Sequence, residues 1–301
     1  MRGLLDIESL DRAEIETILD RARFFQPQPN ESYRRLEVLR GKTIVNLFFE
    51  ASTRTRVSFE IAAKRLGADT LSIAAQTSSV SKGESLVDTL NTLVAMRPNA
   101  IVMRHSASGA PHFLAKHLQL PIVNAGDGTH EHPTQALLDA RTILDHRPSL
   151  TGLRVAIIGD IAHSRVARSN VHLLAKFGAE IVLCGPPSLL PRELKELAPG
   201  VSLAYNMNAA LTGADVIMML RVQLERQHEA PMAASEYFRF YGLRLEHLKL
   251  AKSDAIVMHP GPINRGRELS SEVADSQRSV ILGQVENGVA VRMAVLERIL
   301  S

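Results

Sequence analysis

Phe48-Phe49-Glu50-Ala51-Ser52-Thr53-Arg54-Thr55-Arg56-Val57-Ser58-Phe59-Glu60 is the stretch on which the reading of this chain turns. An apolar, strand-like run at 43–49 precedes it. A helical pattern at 55–66, closed by Gly67, follows it. Between them hydroxyl and guanidinium side chains alternate. A strand-to-helix turn leaves backbone N–H groups unpaired at the helix start, and these donors together with the helix dipole favour an anion. Hydroxyls add donors, and arginine adds a planar fork that fits phosphate oxygens. On local chemistry alone two readings stand. One is a phosphate cradle without the glycines of a P-loop, and the other is a solvated helix cap with exposed arginines.

The rest of the chain repeats the strand–helix rhythm. Strands are expected at 43–49, 70–74, 100–103 and 122–124, and helices at 9–25, 55–66, 85–96 and 111–118. Gly126-Asp127-Gly128 interrupts the pattern. A helix is expected at 133–145, opened by Pro133 and bridging two domains. Strands at 155–158, 181–183, 216–219 and 255–258 alternate with helices at 165–177 and 192–197. A last helix is expected at 288–300. This is the pattern of parallel sheets with helices on their faces. Ligands in such folds bind beyond the C-terminal ends of strands. Ser52–Thr55, Arg104 and His259-Pro260 all fall at such ends.

Composition narrows the function classes. The chain has 301 residues, 45% of them hydrophobic and 22% charged, an ordinary globular balance with room for two domains. The net charge is +3 and the pI about 9.1. Yet no basic run occurs, Trp is absent and aromatic residues make up 4%, which argues against nucleic acid. No apolar run reaches membrane-spanning length and no signal-peptide pattern opens the chain, so a cytoplasmic location is expected. Cys184 is the single cysteine, which excludes an intrachain disulfide. His130 and His132 flank Glu131, but this triplet lacks further ligands at metal-site spacing, so no metal is expected. Gly159 invites a dinucleotide reading. Ile161 and Ser164 occupy the later glycine positions of that fingerprint, so it fails.

His132-Pro133-Thr134-Gln135, Arg221-Val222-Gln223 and His259-Pro260-Gly261-Pro262 join Ser52-Thr53-Arg54-Thr55-Arg56 in a set of ordered, separated motifs. In these the chain resembles the aspartate carbamoyltransferases of the aspartate/ornithine carbamoyltransferase family, from the first helix to the C-terminus. Ala51 stands where relatives commonly carry Pro, and the loop lacks that stiffening.

The resemblance implies two doubly wound α/β domains, with an active site in the cleft between them and at a subunit interface. Residues 1–133, completed by 287–301, would bind carbamoyl phosphate, and 134–286 would bind aspartate. The expected reaction carries the carbamoyl group to the amine of L-aspartate in de novo pyrimidine (UMP) biosynthesis, with no cofactor. The phosphate would meet Ser52, Thr53, Arg54, Thr55 and Arg104. Arg54, Thr55 and His132 would serve the carbonyl oxygen. Gln135 and the backbone of Pro260 and Gly261 would orient the carbamoyl amine. Read alone, the polar segment holding Ser78 and Lys82 is a surface loop with a helix cap. By resemblance both residues reach a neighbour's site in a homotrimer, with Lys82 also catalytic.

Lys82, Arg165 and Arg221, with Gln223, would hold the acceptor. Three cations suit a dicarboxylate and would repel ornithine's cationic side chain. Ornithine-type relatives also place Cys where this chain has Pro260-Gly261. Glu50 and Arg226 are expected in ion pairs around the site, and the Gly261–Pro262 bond is expected cis. Some relatives assemble further with dihydroorotase-like or regulatory chains.

Overall fold

β2 (Thr43–Phe48) is buried along almost its whole length. A strand covered on both faces needs a continuous apolar run, and Thr-Ile-Val-Asn-Leu-Phe nearly supplies one. The computed structural model describes residues 3–27, 33, 35–74, 86–222 and 233–301. These form two compact units, Met1–Leu138 with Glu286–Ser301, and Asp139–Val285.

In the first unit β1 (Gly3–Leu4), β2, β3 (Asp69–Ala74), β4 (Ala100–His105) and β5 (Ile122–Asp127) form a five-stranded sheet in the order β1-β5-β4-β2-β3. Every pairing is parallel. The helices are α1 (Arg12–Phe25), α2 (Thr53–Arg65), α3 (Leu86–Ala95), α4 (Ala110–His117) and the start of α5 (Pro133–His146). α1 begins where Asp11 and Glu14 form a reciprocal capping box, and its stripe Ile15, Ile18, Leu19, Ala22 and Phe25 is buried. Val45, Leu47, Ile101, Met103 and Leu114 belong to one apolar core beneath the sheet.

In the second unit β6 (Arg154–Ile158), β7 (Glu180–Cys184), β8 (Val201–Ala204), β9 (Val216–Met219) and β10 (Ile256–Met258) form another parallel sheet, in the order β10-β9-β6-β7-β8. α6 (Arg165–Lys176), α7 (Met207–Leu211), α8 (Ala234–Tyr241) and α9 (Ser271–Ala274) accompany it. α10 (Ile281–Leu300) ends the chain. Within the first unit its C-terminal part is tied to α1, through Arg21 with Glu297 at 2.5 Å and Arg298 with Glu14 at 3.1 Å. Two parallel-sheet α/β domains are therefore present, as the strand–helix rhythm predicts.

Some elements differ from the sequence-based expectation. Arg192–Glu196 is a 3₁₀ helix and not an α-helix. The last helix starts at Ile281, and Gly288 lies inside it. There Gly288 allows a close approach, since a Cβ would stand 3.3 Å from Leu138 Cδ2.

Both sheets reverse their strand order once. In the first the reversal lies between β2 and β4, and in the second between β6 and β9. Loops leaving adjacent strands at such a point go to opposite faces and open a crevice at the C-terminal edge.

Candidate active site

Phe48 lies opposite Arg104 in the β2–β4 ladder, and Phe49 N donates to Arg104 O at 2.9 Å. The Ser52–Thr55 segment and Arg104 thus leave adjacent strands at the reversal point of the first sheet. Ser52 is the N-cap of α2, yet its side chain makes no capping bond to the helix backbone. Its hydroxyl donates to Thr55 Oγ1 at 3.0 Å instead. The first-turn N–H groups of α2 are left uncapped by Ser52, with Thr53 and Arg54 exposed beside them and Thr55 buried. Arg104 is buried and aimed by two acceptors. Nη1 donates to Ala125 O at 3.2 Å and Nη2 to Glu50 Oε1 at 2.8 Å. Glu50 therefore takes part in an ion pair at the site, with Arg104. The next residue, His105, accepts from Ala107 N at its Nδ1 (2.8 Å). Burial holds its pKa below the ordinary 6.5.

His132 is buried and directly precedes Pro133, the first residue of α5. Its carbonyl accepts from Gln135 N at 2.9 Å, and Gln135 is buried one turn on. The turn that delivers His132 is built on two acids. Asp127 accepts from Gly109 N at 2.7 Å, Asn124 Nδ2 at 2.8 Å and Glu131 N at 3.1 Å. Burial raises the pKa of Asp127, but bonds from His130, Asn124 and Gly109 outweigh this and hold it below the usual carboxylate range. Glu131 is fully buried and accepts from Ile7 N at 2.9 Å and Glu8 N at 3.2 Å. The triplet His130-Glu131-His132 therefore does not converge: Glu131 faces the N-terminal segment. His130 instead joins Asp127 and His112, a grouping the sequence does not announce.

In the second unit Arg165 opens α6, whose N-cap Ser164 accepts from Ala167 N at 3.1 Å. Arg165 is buried and Arg221 half-buried. They follow β6 and β9, the pair at the reversal point, where Leu220 N donates to Ile158 O at 2.8 Å. Gly159 has φ +147°, and a Cβ there would stand 2.8 Å from Leu220 Cβ. The glycine admits the strand that carries Arg221 and has no phosphate fingerprint to complete. Glu268, fully buried, accepts from Val222 N at 3.2 Å and from Asn264 N at 2.9 Å, fixing the residue after Arg221. Pro260 and Gly261 follow β10. Gly261 N donates to His259 Nδ1 at 2.8 Å, His259 N donates to Gln284 Oε1 at 2.9 Å, and the Gly261–Pro262 bond is cis. Cys184 is buried in β7, and burial pushes its thiol up to about 12. Ser78, Lys82, Gln223 and Arg226 lie outside the described residues.

The first unit thus brings Ser52, Thr53, Arg54, Thr55 and Arg104 to one sheet edge. The second does the same for Arg165 and Arg221. Hydroxyls, helix-start N–H groups and a fixed guanidinium suit a phosphate. Two arginines at a strand edge suit carboxylates.

Known proteins carry the same architecture. Residues 2–145 match the family described as aspartate/ornithine carbamoyltransferase, carbamoyl-P binding domain. Residues 151–299 match the Asp/Orn binding domain of that enzyme family. An aspartate carbamoyltransferase catalytic subunit of Solibacter usitatus is 78% identical over 298 residues, with 99% of each chain covered. A crystal structure of Trypanosoma cruzi aspartate transcarbamoylase with carbamoyl phosphate and aspartate is 32% identical. It aligns with a TM-score of 0.90 over 99% of this chain and 97% of its own. Ornithine carbamoyltransferase of Pyrococcus furiosus gives 30% identity and a TM-score of 0.88, covering 99% and 96%. With both of its units matched and a close relative aligned along almost its whole length, the chain belongs to the aspartate/ornithine carbamoyltransferase family.

Proposed function

We propose that this chain transfers the carbamoyl group of carbamoyl phosphate to the amine of L-aspartate, giving N-carbamoyl-L-aspartate and phosphate in pyrimidine (UMP) biosynthesis. One observation carries the reading. An anion cradle, Ser52–Thr55 with Arg104, occupies the reversal point of the first sheet, and two arginines, Arg165 and Arg221, occupy that of the second. The fold alone does not choose the acceptor, since aspartate and ornithine enzymes share it. The choice rests on the arginines and on the named relative at 78% identity.

In this reading residues 1–133 with 287–301 bind carbamoyl phosphate, and 134–286 bind aspartate. Ser52, Thr53, Arg54, Thr55 and Arg104 hold the phosphate dianion. The aspartate amine attacks the carbonyl carbon, an N–C bond forms, and charge moves to the carbonyl oxygen. Arg54, Thr55 and a neutral His132 donate to that oxygen. A histidine at a helix start resists a second proton, because the helix dipole disfavours positive charge there. Collapse breaks the C–O bond, and the amine proton leaves with phosphate. Gln135 and the Pro260–Gly261 backbone orient the carbamoyl amine. Arg165, Arg221 and Gln223 clamp the two carboxylates. Ser78 and Lys82 come from a neighbouring subunit of a homotrimer. The enzyme works in the cytoplasm.

The test is phosphate release by the purified chain supplied with carbamoyl phosphate and either L-aspartate or L-ornithine, beside a native mass measurement. Aspartate should drive release and ornithine should not. Turnover with ornithine alone overturns the assignment. Arg221→Ala should raise the KM for aspartate by roughly 10- to 100-fold, the equivalent of one charge-assisted bond of about 1.5–3 kcal/mol.

A further inference from the structure

The turn that delivers His132 has a second group of chemical side chains on its outer side. His112 on α4, Asp127 at the end of β5 and His130 each place a ligand atom within 4.8 Å of the others. The two imidazoles meet edge to face, with centroids 5.3 Å apart. His112 Nε2 lies 2.6 Å from Asp6 Oδ2, and Asp6 also accepts from Ser9 N at 2.7 Å. Asp6 therefore holds the proton on Nε2 and leaves the lone pair on Nδ1. That Nδ1 is buried and has no hydrogen-bond partner among the described residues. A buried acceptor left without a donor is costly and calls for an occupant. A carboxylate that fixes one ring nitrogen, so that the other presents its lone pair, is the usual support of a metal-binding histidine.

We propose that His112, Asp127 and His130 form a binding site for a single first-row divalent ion of the zinc or cobalt type, separate from the transfer chemistry. Two imidazoles and one carboxylate suit such ions. Magnesium and calcium prefer all-oxygen shells and should not compete. Bonds of about 2.0–2.1 Å set tetrahedral ligand atoms about 3.3 Å apart, so the group must close slightly. Both imidazoles can move, since about a third of each is exposed (32% and 35%). The Asp127 side chain is fully buried and fixed by Gly109 N, Asn124 Nδ2 and Glu131 N, while His130 Nδ1, 3.1 Å from its Oδ2, is a fourth partner whose bond the ion replaces. Water fills the remaining position. The ion then ties α4 to the turn between β5 and α5.

The test uses the full-length, untagged, metal-stripped protein. Co²⁺ is titrated and its visible absorption and stoichiometry are read. Zn²⁺ is titrated against a chromophoric chelator, and thermal unfolding is followed with each ion. One ion per chain is expected, with a rise in Tm at saturation because the ion binds the folded state. His112→Gln and His130→Gln should each weaken binding at least about tenfold and remove the rise in Tm. His117→Gln, on the same helix but outside the group, should change neither, and Mg²⁺ should not raise Tm. Asp6→Asn, which leaves the three ligands in place, should weaken binding and keep the stoichiometry. Absence of Co²⁺ and Zn²⁺ binding to the parent protein overturns the proposal. So does unchanged affinity in both histidine variants. Should those variants fail to fold, the parent spectrum decides: a nitrogen–oxygen ligand field with one ion per chain supports the site, and any other result overturns it.

Discussion

Arg104 Nη2 donates to Glu50 Oε1 at 2.8 Å, so the last arginine of one strand is aimed by an acid from the loop of the next. Glu50 stands just before Ser52 and is itself only partly exposed. Glu50→Gln keeps the shape and removes the charge. Loss of a charge-assisted bond of about 1.5 kcal/mol predicts a rise of roughly tenfold in the KM for carbamoyl phosphate, with a smaller effect on aspartate. An unchanged KM would show that Arg104 is held in place without the Glu50 charge.

His105 gives a pH dependence with a definite sign. Burial lowers its pKa below 6.5, and its Nδ1 accepts from Ala107 N, so protonation disrupts the loop after Arg104. The unfolded chain then binds more protons than the folded one between the lowered value and 6.5. Stability should be full above 6.5 and fall as pH drops through that window. NMR titration of the His105 ring should give a midpoint below 6.5, and His105→Gln should flatten the acid limb of Tm against pH.

Gly159→Ala places a methyl group 2.8 Å from Leu220 Cβ at a φ of +147°. Overpacking of this kind typically costs about 1–3 kcal/mol, and the strained φ adds to it. Leu220 must move, and Arg221 with it. Denaturant unfolding should show the loss of stability, and the KM for aspartate should rise more than that for carbamoyl phosphate.

Turnover itself should be independent of metal. Chelation should leave the rate unchanged, whether or not the His112 site binds an ion. His132→Ala should lower kcat by on the order of 100-fold, as for loss of one preorganised oxyanion donor. Metal-dependent recovery of activity after chelation would count against the donor role.

Subunit sharing has its own readout. Arg54→Ala and Lys82→Ala should each be nearly inactive. Mixed trimers should regain part of the activity, because some sites combine an intact Arg54 with an intact neighbouring Lys82. Hybrids verified by native mass and as inactive as their parents would place both residues in one subunit's site.

The sequence made the strand–helix alternation legible because apolar runs and helical periods are long in both halves. β2 and α2 are clear cases, and the hydroxyl–guanidinium run, whose residues 53–56 form the first turn of α2, stands out in the sequence alone. Arg192–Glu196 misled because a short charged segment after Pro191 carries too few residues to separate a 3₁₀ from an α-helix. β8 and α7 were missed for the same brevity. At the site, exposed or strand-terminal cations stood out. Asp127, Glu131 and Glu268 did not, since a buried acid that holds backbone N–H groups reads in sequence like a solvated one. His112 and His130 meet only through the packing of α4 beside β5.

The grip of Glu131 on Ile7 N and Glu8 N reaches past the turn it supports. It makes the start of the chain a remote adjustment for His132. Trimming the first eight residues would remove the Ile7 and Glu8 donors from a fully buried carboxylate that directly precedes His132. A segment that looks dispensable in sequence is thus a distant anchor for the turn on which the proposed oxyanion donor sits.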